Sequence, residues 1–345
     1  MNPRLFGLFL LLGCSACGEG EGAYGPHLTE RDNILWAEAG ATYRLDFAEP
    51  VDRHPIGALW DSESFLGSPL EFMSRVAIIL KVDDQGGEMS SGVVRFIELA
   101  DRYQAVVSIG IITTHLTADP QINSVYRQLH DFGFELWFHG HTHAIVPDVP
   151  EFQGAGLAAQ MASFREGLEV AYATLGVELR AFGAPGNATD ADTVTAIGYF
   201  PQLVAWLFGP DGADGLGEVP LVLPRLLNIE ARIGDVLPPT AFLLRLDALL
   251  QERPEMAPLT LQLHPNGFDA EDLDRCGRIF QEIRQRRLFR YTSPFAWWKW
   301  RADRGRIVLV KTSQTSYVLD LSDALYDHRL EIAPDGPIPL VQHVH

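Results

Sequence analysis

The sequence predicts an α/β protein with parallel strands, and three features of its middle part lead to that prediction. Short runs of consecutive apolar residues recur, most are followed by apolar residues at helical spacing, and several end in polar or turn-forming residues. Continuously apolar runs are typical of parallel strands that are covered on both faces. Strand followed by helix, repeated at least four times, favours a barrel, and an open sheet remains the alternative.

The predicted strands and helices alternate from residue 76 onward. The predicted strands are 76–82, 105–112, 134–138, 177–182, 203–208, 219–223 and 259–263. The predicted helices are 93–100, 123–132, 152–175 and 269–287, and one more opens with Asp190 or Thr189 as its cap. After Arg301 the character changes, and two further strands, 306–310 and 317–321, predict a small C-terminal β appendage.

The composition allows a large core and excludes one class of partner. Of the 345 residues, 47% are apolar, which is ample for a globular core. The chain has 27 basic and 45 acidic residues and a net charge of −18. Because binding a phosphate backbone needs a positive surface, this balance argues against a nucleic-acid partner.

The first 17 residues resemble a bacterial lipoprotein signal. Arg4 precedes an apolar stretch at 5–12, and a lipobox-like sequence ends at Cys14. In such signals cleavage falls before the cysteine, which carries the lipid. The apolar stretch is too short to span a bilayer, so the resemblance predicts an exported lipoprotein that faces the periplasm or cell surface and touches the membrane only through Cys14. An ordinary secretory signal or a misassigned start is the alternative.

The sequence predicts four segments, and each differs from the next in composition. They are a lipoprotein-type signal peptide at 1–17, a tether and lead-in at 18–70, a catalytic domain at 71–300 and a β extension at 301–345. Within the lead-in, residues 42–60 carry broken apolar alternation with prolines, which predicts irregular structure.

Polar residues that are able to do chemistry stand where several predicted strands end. They are Asp83, Asp84, His139, His143, Asn187 and His264. In parallel α/β folds the site lies at the carboxyl ends of the strands, so we expect these residues to converge.

A metal site is the first chemistry that these residues predict. Asp84, His139 and His143 would supply three ligands and leave a coordination position open, as in catalytic zinc sites. Cobalt or iron would suit the same donors. Asp83 is predicted to accept a proton from water, with a helix cap or turn former as the alternative. His264 is predicted to donate a proton to a leaving amine, or else to be a turn residue before a proline.

Other residues near the strand ends have two interpretations each. Asn187 is predicted to contact substrate, or to be a turn residue after glycine. Trp137, Trp206 and the aromatic cluster 295–300 would stack on sugar rings or pack over the end of the barrel. His141 has no assigned role.

Four short motifs resemble those of the NodB-homology polysaccharide deacetylases, carbohydrate esterase family four. Residues 81–84 resemble the first motif and residues 139–143 resemble the second, a histidine pair four apart. Residues 182–187 stand at the place of the third motif, and residues 261–264 resemble the motif that carries the acid histidine. Order and approximate spacing agree over residues 75–295.

The resemblance implies a distorted (β/α) barrel and metal-dependent hydrolysis of N-acetyl groups on a cell-wall or extracellular polysaccharide. It implies Asp83 as base, Asp84, His139 and His143 as ligands of a divalent metal such as zinc, and His264 as acid.

The chain also departs from the family pattern. The arginine of the third motif is replaced by Gly183 or Ala184, and its tyrosine by Gly186. The aspartate of the fourth motif has no match between 200 and 250. The groups that orient Asp83 and tune His264 are therefore not identified from the sequence.

Two other functions compete with a deacetylase. A catalytically silent carbohydrate-binding lipoprotein on the same fold would explain the missing arginine and aspartate. A calcineurin-like metallophosphoesterase is suggested by Gly140-His141-Thr142-His143, but Asp83 is followed two residues later by Gln85 and no Gly-Asn-His occurs.

Overall fold

The computed structural model describes most of the chain from residue 25 onward. The described residues are 25–28, 34–49, 76–145, 147–209, 220–223, 225–252, 258–286, 289–303, 305–331 and 339–344. The predicted signal peptide and Cys14 lie outside them. Within these ranges, no helix combines the length and apolarity that crossing a membrane requires.

Strands and helices alternate through the middle of the described chain. The strands are β1 (Ile34–Ala37), β2 (Thr42–Asp46), β3 (Val76–Gln85), β4 (Val107–Ile111), β5 (Glu135–Phe138), β6 (Ala181–Phe182), β7 (Ala205–Leu207), β8 (Leu221–Leu223), β9 (Leu226–Asn228), β10 (Glu230–Arg232), β11 (Asp235–Val236), β12 (Leu259–Leu263), β13 (Phe289–Thr292), β14 (Val308–Lys311), β15 (Ser316–Asp320), β16 (His328–Glu331) and β17 (Leu340–Val344). The helices are α1 (Ser91–Arg102), α2 (Pro120–Phe132), α3 (Leu157–Leu175), α4 (Ala191–Ile197), α5 (Pro239–Glu252), α6 (Ala270–Arg286) and α7 (Pro294–Asp303).

A parallel sheet of nine strands forms the centre of the fold. Hydrogen-bonded neighbours follow the order β8-β7-β6-β5-β4-β3-β12-β9, and β13 pairs with the first half of β3. The pairs in this sheet are parallel. The sheet curls and is covered by helices, which gives the distorted (β/α) barrel that the sequence predicted.

Alternate side chains of β3 enter two different hydrophobic cores. Ile78, Leu80 and Val82 pack with the helices, whereas Ala77 and Ile79 belong to a core shared with the small antiparallel sheet. Side chains two apart on a strand share one face, so Lys81 and Asp83 continue the second series. The inner face of β3 thus changes from apolar to charged as it approaches its carboxyl end.

Capping side chains fix where the helices begin. Ser90 accepts a hydrogen bond from the amide of Val93 at the start of α1, and Asp119 caps α2. Asp190 caps α4 and forms a capping box with Thr193, as predicted for this position.

The small β unit includes a strand from the lead-in segment. β14 and β15 form the antiparallel pair predicted near the C-terminus. β2 lies between β15 and β17 in the same sheet, although residues 42–60 were predicted to be irregular. Its partners are far away in the sequence, so no local hairpin signal marks it as a strand.

The aromatic residues considered for sugar stacking mostly pack inside the protein. Trp137 and Trp206 are fully buried in the sheet. Trp297 and Trp300 of α7 are buried in the core that is shared with the antiparallel sheet. Packing is therefore the interpretation that the structure supports for these four.

Glu135 should make the free energy of unfolding depend on pH. It lies at the amino end of β5, on the side of the barrel away from the predicted site. Its Oε2 accepts a hydrogen bond from the amide of Phe295 at 2.8 Å. Burial raises the pKa of the Glu135 carboxyl to about 7, against the opposing effects of Ser293, Phe295 and Lys299. Between the lower pKa of Glu135 in the unfolded state and its pKa of about 7 in the folded state, the folded state therefore holds a proton that the unfolded state has released.

We expect the free energy of unfolding of the wild type to fall by about 3 kcal/mol relative to Glu135→Gln as the pH rises from about 4.5 through 7. The reason is that the native state must then either lose its bound proton or bury a charge. Urea unfolding of both proteins at several pH values checks this. Parallel pH profiles for the two proteins would contradict it.

Candidate active site

The end of β3 is irregular, and this irregularity brings two adjacent carboxylates into one site. The pairing of β3 with β4 shifts register between Val82 and Gln85, and Asp84 has a left-handed backbone with φ 65°. A bulge of this kind re-aims side chains that would otherwise point to opposite faces. As a result, His264 Nε2 lies 3.6 Å from Asp83 Oδ2 and 4.0 Å from Asp84 Oδ2.

The loop that follows β5 is shaped around the carboxylate of Glu151. Its oxygens accept hydrogen bonds from the amides of His141, Thr142 and His143 at 2.6, 3.1 and 2.8 Å. Gly140 has φ 86°, and a Cβ at that position would lie 2.6 Å from Glu151 Oε2. Glycine is therefore required for the loop to close on the carboxylate, which in turn sets the position of His143.

Because the carboxylate of Glu151 is buried and also contacts the hydroxyl of Ser163, its replacement should be costly. We expect Glu151→Gln to lower the free energy of unfolding by about 3 kcal/mol, since an amide NH2 would face backbone donors. Denaturant unfolding checks this, with Glu166→Gln as the control because the side chain of Glu166 is 63% exposed. Equal stability of the two variants would show that Glu151 does not hold the loop.

Asp84, His139 and His143 form the cluster predicted as the metal site. The Nε2 atoms of His139 and His143 lie 3.1 and 2.8 Å from Asp84 Oδ1. One ligand atom from each residue lies within 4.8 Å of the other two. His139 Nδ1 is 2.8 Å from the carbonyl oxygen of Gly183, to which it donates, so its Nε2 is left to bind a ligand.

The donor set fits a divalent cation. Because His139 donates to Gly183 through Nδ1, its Nε2 and the Asp84 oxygen that it faces need a cation between them, which either a proton or a metal ion supplies. Burial disfavours ionisation of Asp84, but the hydrogen bonds and charges of His139 and His143 outweigh it and hold the pKa of Asp84 well below its usual range. Two imidazoles and a carboxylate suit zinc, cobalt or iron.

Asp83 is buried next to this cluster with one oxygen engaged and one free. Its Oδ2 contacts the ammonium of Lys81 and lies 3.9 Å from His139 Nε2. Its Oδ1 is buried, and no hydrogen-bond donor among the described residues reaches it. Asp83 therefore lies beside the predicted metal position, with Oδ2 paired to Lys81 and Oδ1 without a donor.

His264 is held by a carboxylate that sequence reasoning missed. Glu230, the first residue of β10, accepts a hydrogen bond from His264 Nδ1 at 2.8 Å and one from its backbone amide at 3.1 Å. Burial lowers the pKa of His264, but the bond to Glu230 and the charges of Asp83, Glu230 and Asp84 together raise it. The protonated form, which the predicted acid role needs, is thereby favoured.

Asn187 lies in the site's wall and not in the metal cluster. It has a left-handed backbone with φ 54° in a short 3-10 turn, which fits the turn interpretation. Its side-chain amide donates to Gln262 Oε1 at 3.2 Å, and its own Oδ1 is buried without a donor from the described residues. Because this oxygen could accept a hydrogen bond from a substrate, contact between Asn187 and substrate stays a prediction.

His141, which had no predicted role, is turned to another partner. Its Nδ1 lies 2.8 Å from the hydroxyl of Thr113, and its Nε2 lies 3.9 Å from the carboxylate of Glu166. It thus lies in the same loop as the two predicted ligands without joining their cluster.

Comparison with solved structures identifies the fold of this chain. The structure matches Puue allantoinase with a TM-score of 0.52 and 15% sequence identity, covering 71% of this chain and 96% of that chain. The chain has the fold of that protein. The distorted barrel that the sequence predicted is therefore confirmed.

Weaker matches include enzymes named for deacetylation. A putative polysaccharide deacetylase from Mycobacterium smegmatis matches with a TM-score of 0.46 and 16% identity over 72% of this chain and 98% of its own. A family 4 acetyl xylan esterase from Clostridium thermocellum, in complex with cobalt, matches with a TM-score of 0.43 and 13% identity over 63% and 87%. No protein-family model matches the sequence, and no curated protein matches it.

Proposed function

We propose that this protein is a metal-dependent hydrolase that removes N-acetyl groups from a cell-wall or extracellular polysaccharide. The observation that carries the proposal is the meeting of a three-donor metal cluster with a carboxylate and a histidine in one site. Asp83 and His264 both lie within 4 Å of members of the cluster. Three of the four motifs that resemble polysaccharide deacetylases end at members of this set, namely Asp84, His143 and His264.

The residues divide the work of amide hydrolysis between them. Asp84, His139 and His143 would hold the metal, which when bound supplies a Lewis acid that polarises the acyl carbonyl and makes water more acidic. Asp83 accepts a proton from the attacking water with its carboxylate. His264 donates a proton to the leaving nitrogen, which is needed because an amide nitrogen leaves as an amine.

Glu230 supports the acid step. Its carboxylate accepts a hydrogen bond from Nδ1 of His264, so Nε2 is the nitrogen that faces Asp83 and Asp84 and delivers the proton. The negative charge of Glu230 stabilises the imidazolium before the proton is given away. The fourth-motif aspartate that the sequence lacks is thus matched in role by a glutamate on β10.

Substrate and location follow from the resemblance and the N-terminal sequence. A lipid on Cys14 would attach the protein to a membrane surface that faces the periplasm or exterior, where wall and extracellular polysaccharides occur. The net charge of −18 is compatible with a soluble domain on a tether.

Acetate release tests the proposal. The purified protein is incubated with chitooligosaccharides and with peptidoglycan fragments before chelation, after chelation and after return of Zn2+. We expect acetate release that chelation abolishes and metal restores. Bound metal without acetate would redirect the search to other amides or esters, and absence of both would favour a catalytically silent carbohydrate-binding protein.

A further inference from the structure

A lysine ammonium is buried inside the barrel, two residues before the predicted base. Lys81 is 0% exposed, and its neighbours Leu80 and Val82 are buried apolar residues. An isolated ammonium in such a place costs several kcal/mol unless it is paired and hydrogen-bonded. Its environment must therefore supply partners, and these partners identify what the charge does.

The partners of Lys81 fix its ammonium from three directions. Nζ contacts the carboxylate of Asp83, donates to Gln262 Oε1 at 2.9 Å and lies 5.1 Å from the centroid of the Trp137 ring. Gln262 is itself engaged by Asn187, which donates to the same Oε1 at 3.2 Å. Together these contacts with a carboxylate, an amide oxygen and an aromatic face hold the Lys81 ammonium in one position.

Trp137 also explains why this charge comes from β3. A Cβ on Gly183 would lie 2.8 Å from Trp137 Cζ3, and one on Gly110 would lie 2.5 Å from Trp137 Cζ2. The ring therefore occupies the space next to Gly183, and a side chain at that position does not fit without a shift. An arginine from the third-motif loop is excluded there, while Lys81 reaches Asp83 along the inner face of the same strand.

We propose that Lys81 is a positioning residue for Asp83: its ammonium holds Oδ2 and so fixes the orientation of the carboxylate that accepts the proton. This inference rests on the proposed function. It follows from geometry, because the oxygen that Lys81 contacts, Oδ2, is the one that lies 3.9 Å from His139 Nε2 and 3.6 Å from His264 Nε2. Since no described donor reaches Oδ1, no donor other than Lys81 has to set the orientation of this carboxylate. It also argues against a catalytically silent protein, because Lys81 supplies the positive charge that the missing arginine of the third motif would have supplied.

Lys81→Met tests the proposal because methionine has a similar shape and no charge. We expect kcat to fall about 100-fold with KM and metal content unchanged, since the base would be present but misplaced. Thr260→Val is the matched control. Thr260 is buried on the adjacent β12 and its hydroxyl has no partner among the described residues, so this change should leave kcat within about twofold.

A double-mutant cycle separates positioning from a general structural role. If Lys81 acts through Asp83, then adding Lys81→Met to Asp83→Asn should change the residual kcat less than about threefold. A further loss of tenfold or more in the double variant would overturn the proposal. The double variant buries no unpaired charge, so it also serves if Lys81→Met alone does not fold.

Crystal structures of the wild type and Lys81→Met give a readout that does not depend on turnover. We expect the Asp83 carboxylate to leave its wild-type orientation in the variant. If the variant does not fold, Asp83→Asn with and without Lys81→Met is compared for the orientation of the side-chain amide at position 83. An unchanged orientation would overturn the proposal. A wild type that releases no acetate would defeat the proposed function, and Lys81 would then be judged by these structures alone.

Discussion

Replacing His139 by alanine should remove the bound metal and the hydrolytic activity together. His139 is 1% exposed and is fixed by its Nδ1 bond to Gly183, so its Nε2 is held at the cluster. Asp84→Ala should behave in the same way, because both imidazoles converge on Asp84 Oδ1. We expect kcat/KM to fall on the order of 10³-fold or more, since Lewis-acid stabilisation is worth several kcal/mol.

Elemental analysis and acetate release on the same preparations check this result. His141→Ala is the matched control, because it removes an imidazole from the same loop that lies outside the cluster and bonds to Thr113. This control should keep one metal per chain and most of the activity. Stoichiometric metal in both His139→Ala and Asp84→Ala would show that the ligands are other residues.

Asp83→Asn should keep the metal and lose turnover. The substitution preserves shape but removes the negative charge and the proton acceptor, so we expect kcat to fall about 10² to 10⁴-fold with little change in metal content. Pre-steady-state and steady-state acetate release at saturating substrate would measure the loss.

The expected result separates Asp83 from its neighbour Asp84. Loss of metal in Asp83→Asn would make Asp83 a ligand, and near-wild-type turnover would remove it as the base. Because the substitution leaves Lys81 without its carboxylate, the stability of the variant must be measured as well. A folded and metal-loaded protein with low kcat is the outcome that supports the assignment.

The metal cluster could be predicted from the sequence because the apolar runs show where the parallel strands end. Continuous apolar runs locate β3 and β5, and the rule that parallel strands deliver their carboxyl ends to one face brings Asp84 and His139 together. His143 follows His139 by four residues, so one tight loop is enough to bring its side chain to the same cluster. That these residues bind a metal and catalyse remains a prediction.

Glu230 could not be found by the same reasoning. It begins a three-residue strand in a region where short strands carry weak patterns, and the family pattern predicts an aspartate there and not a glutamate. The available signal was a glutamate beside Ile229, which is fully buried. A buried carboxylate needs a partner, and only the three-dimensional structure identifies His264 as that partner.

The sequence does not predict the role of Lys81, because this residue lies within the nearly continuous apolar run that predicts β3. One charge in such a run is easily assigned to an exposed edge, and its pairing with Asp83 depends on the alternation of the strand and on the bulge that follows. The placement of β2 beside β15 was missed for a related reason: contacts between distant segments leave no local pattern.

An anomalous-scattering crystal structure of the wild type with added Zn2+ tests the central claim most directly. We predict one strong peak within bonding distance of His139 Nε2, His143 Nε2 and an Asp84 carboxylate oxygen, with the Asp83 carboxylate beside it and not bound. No peak at these three atoms, or a peak that lies only elsewhere in the protein, would contradict the assignment of this site as a metal-dependent hydrolase centre.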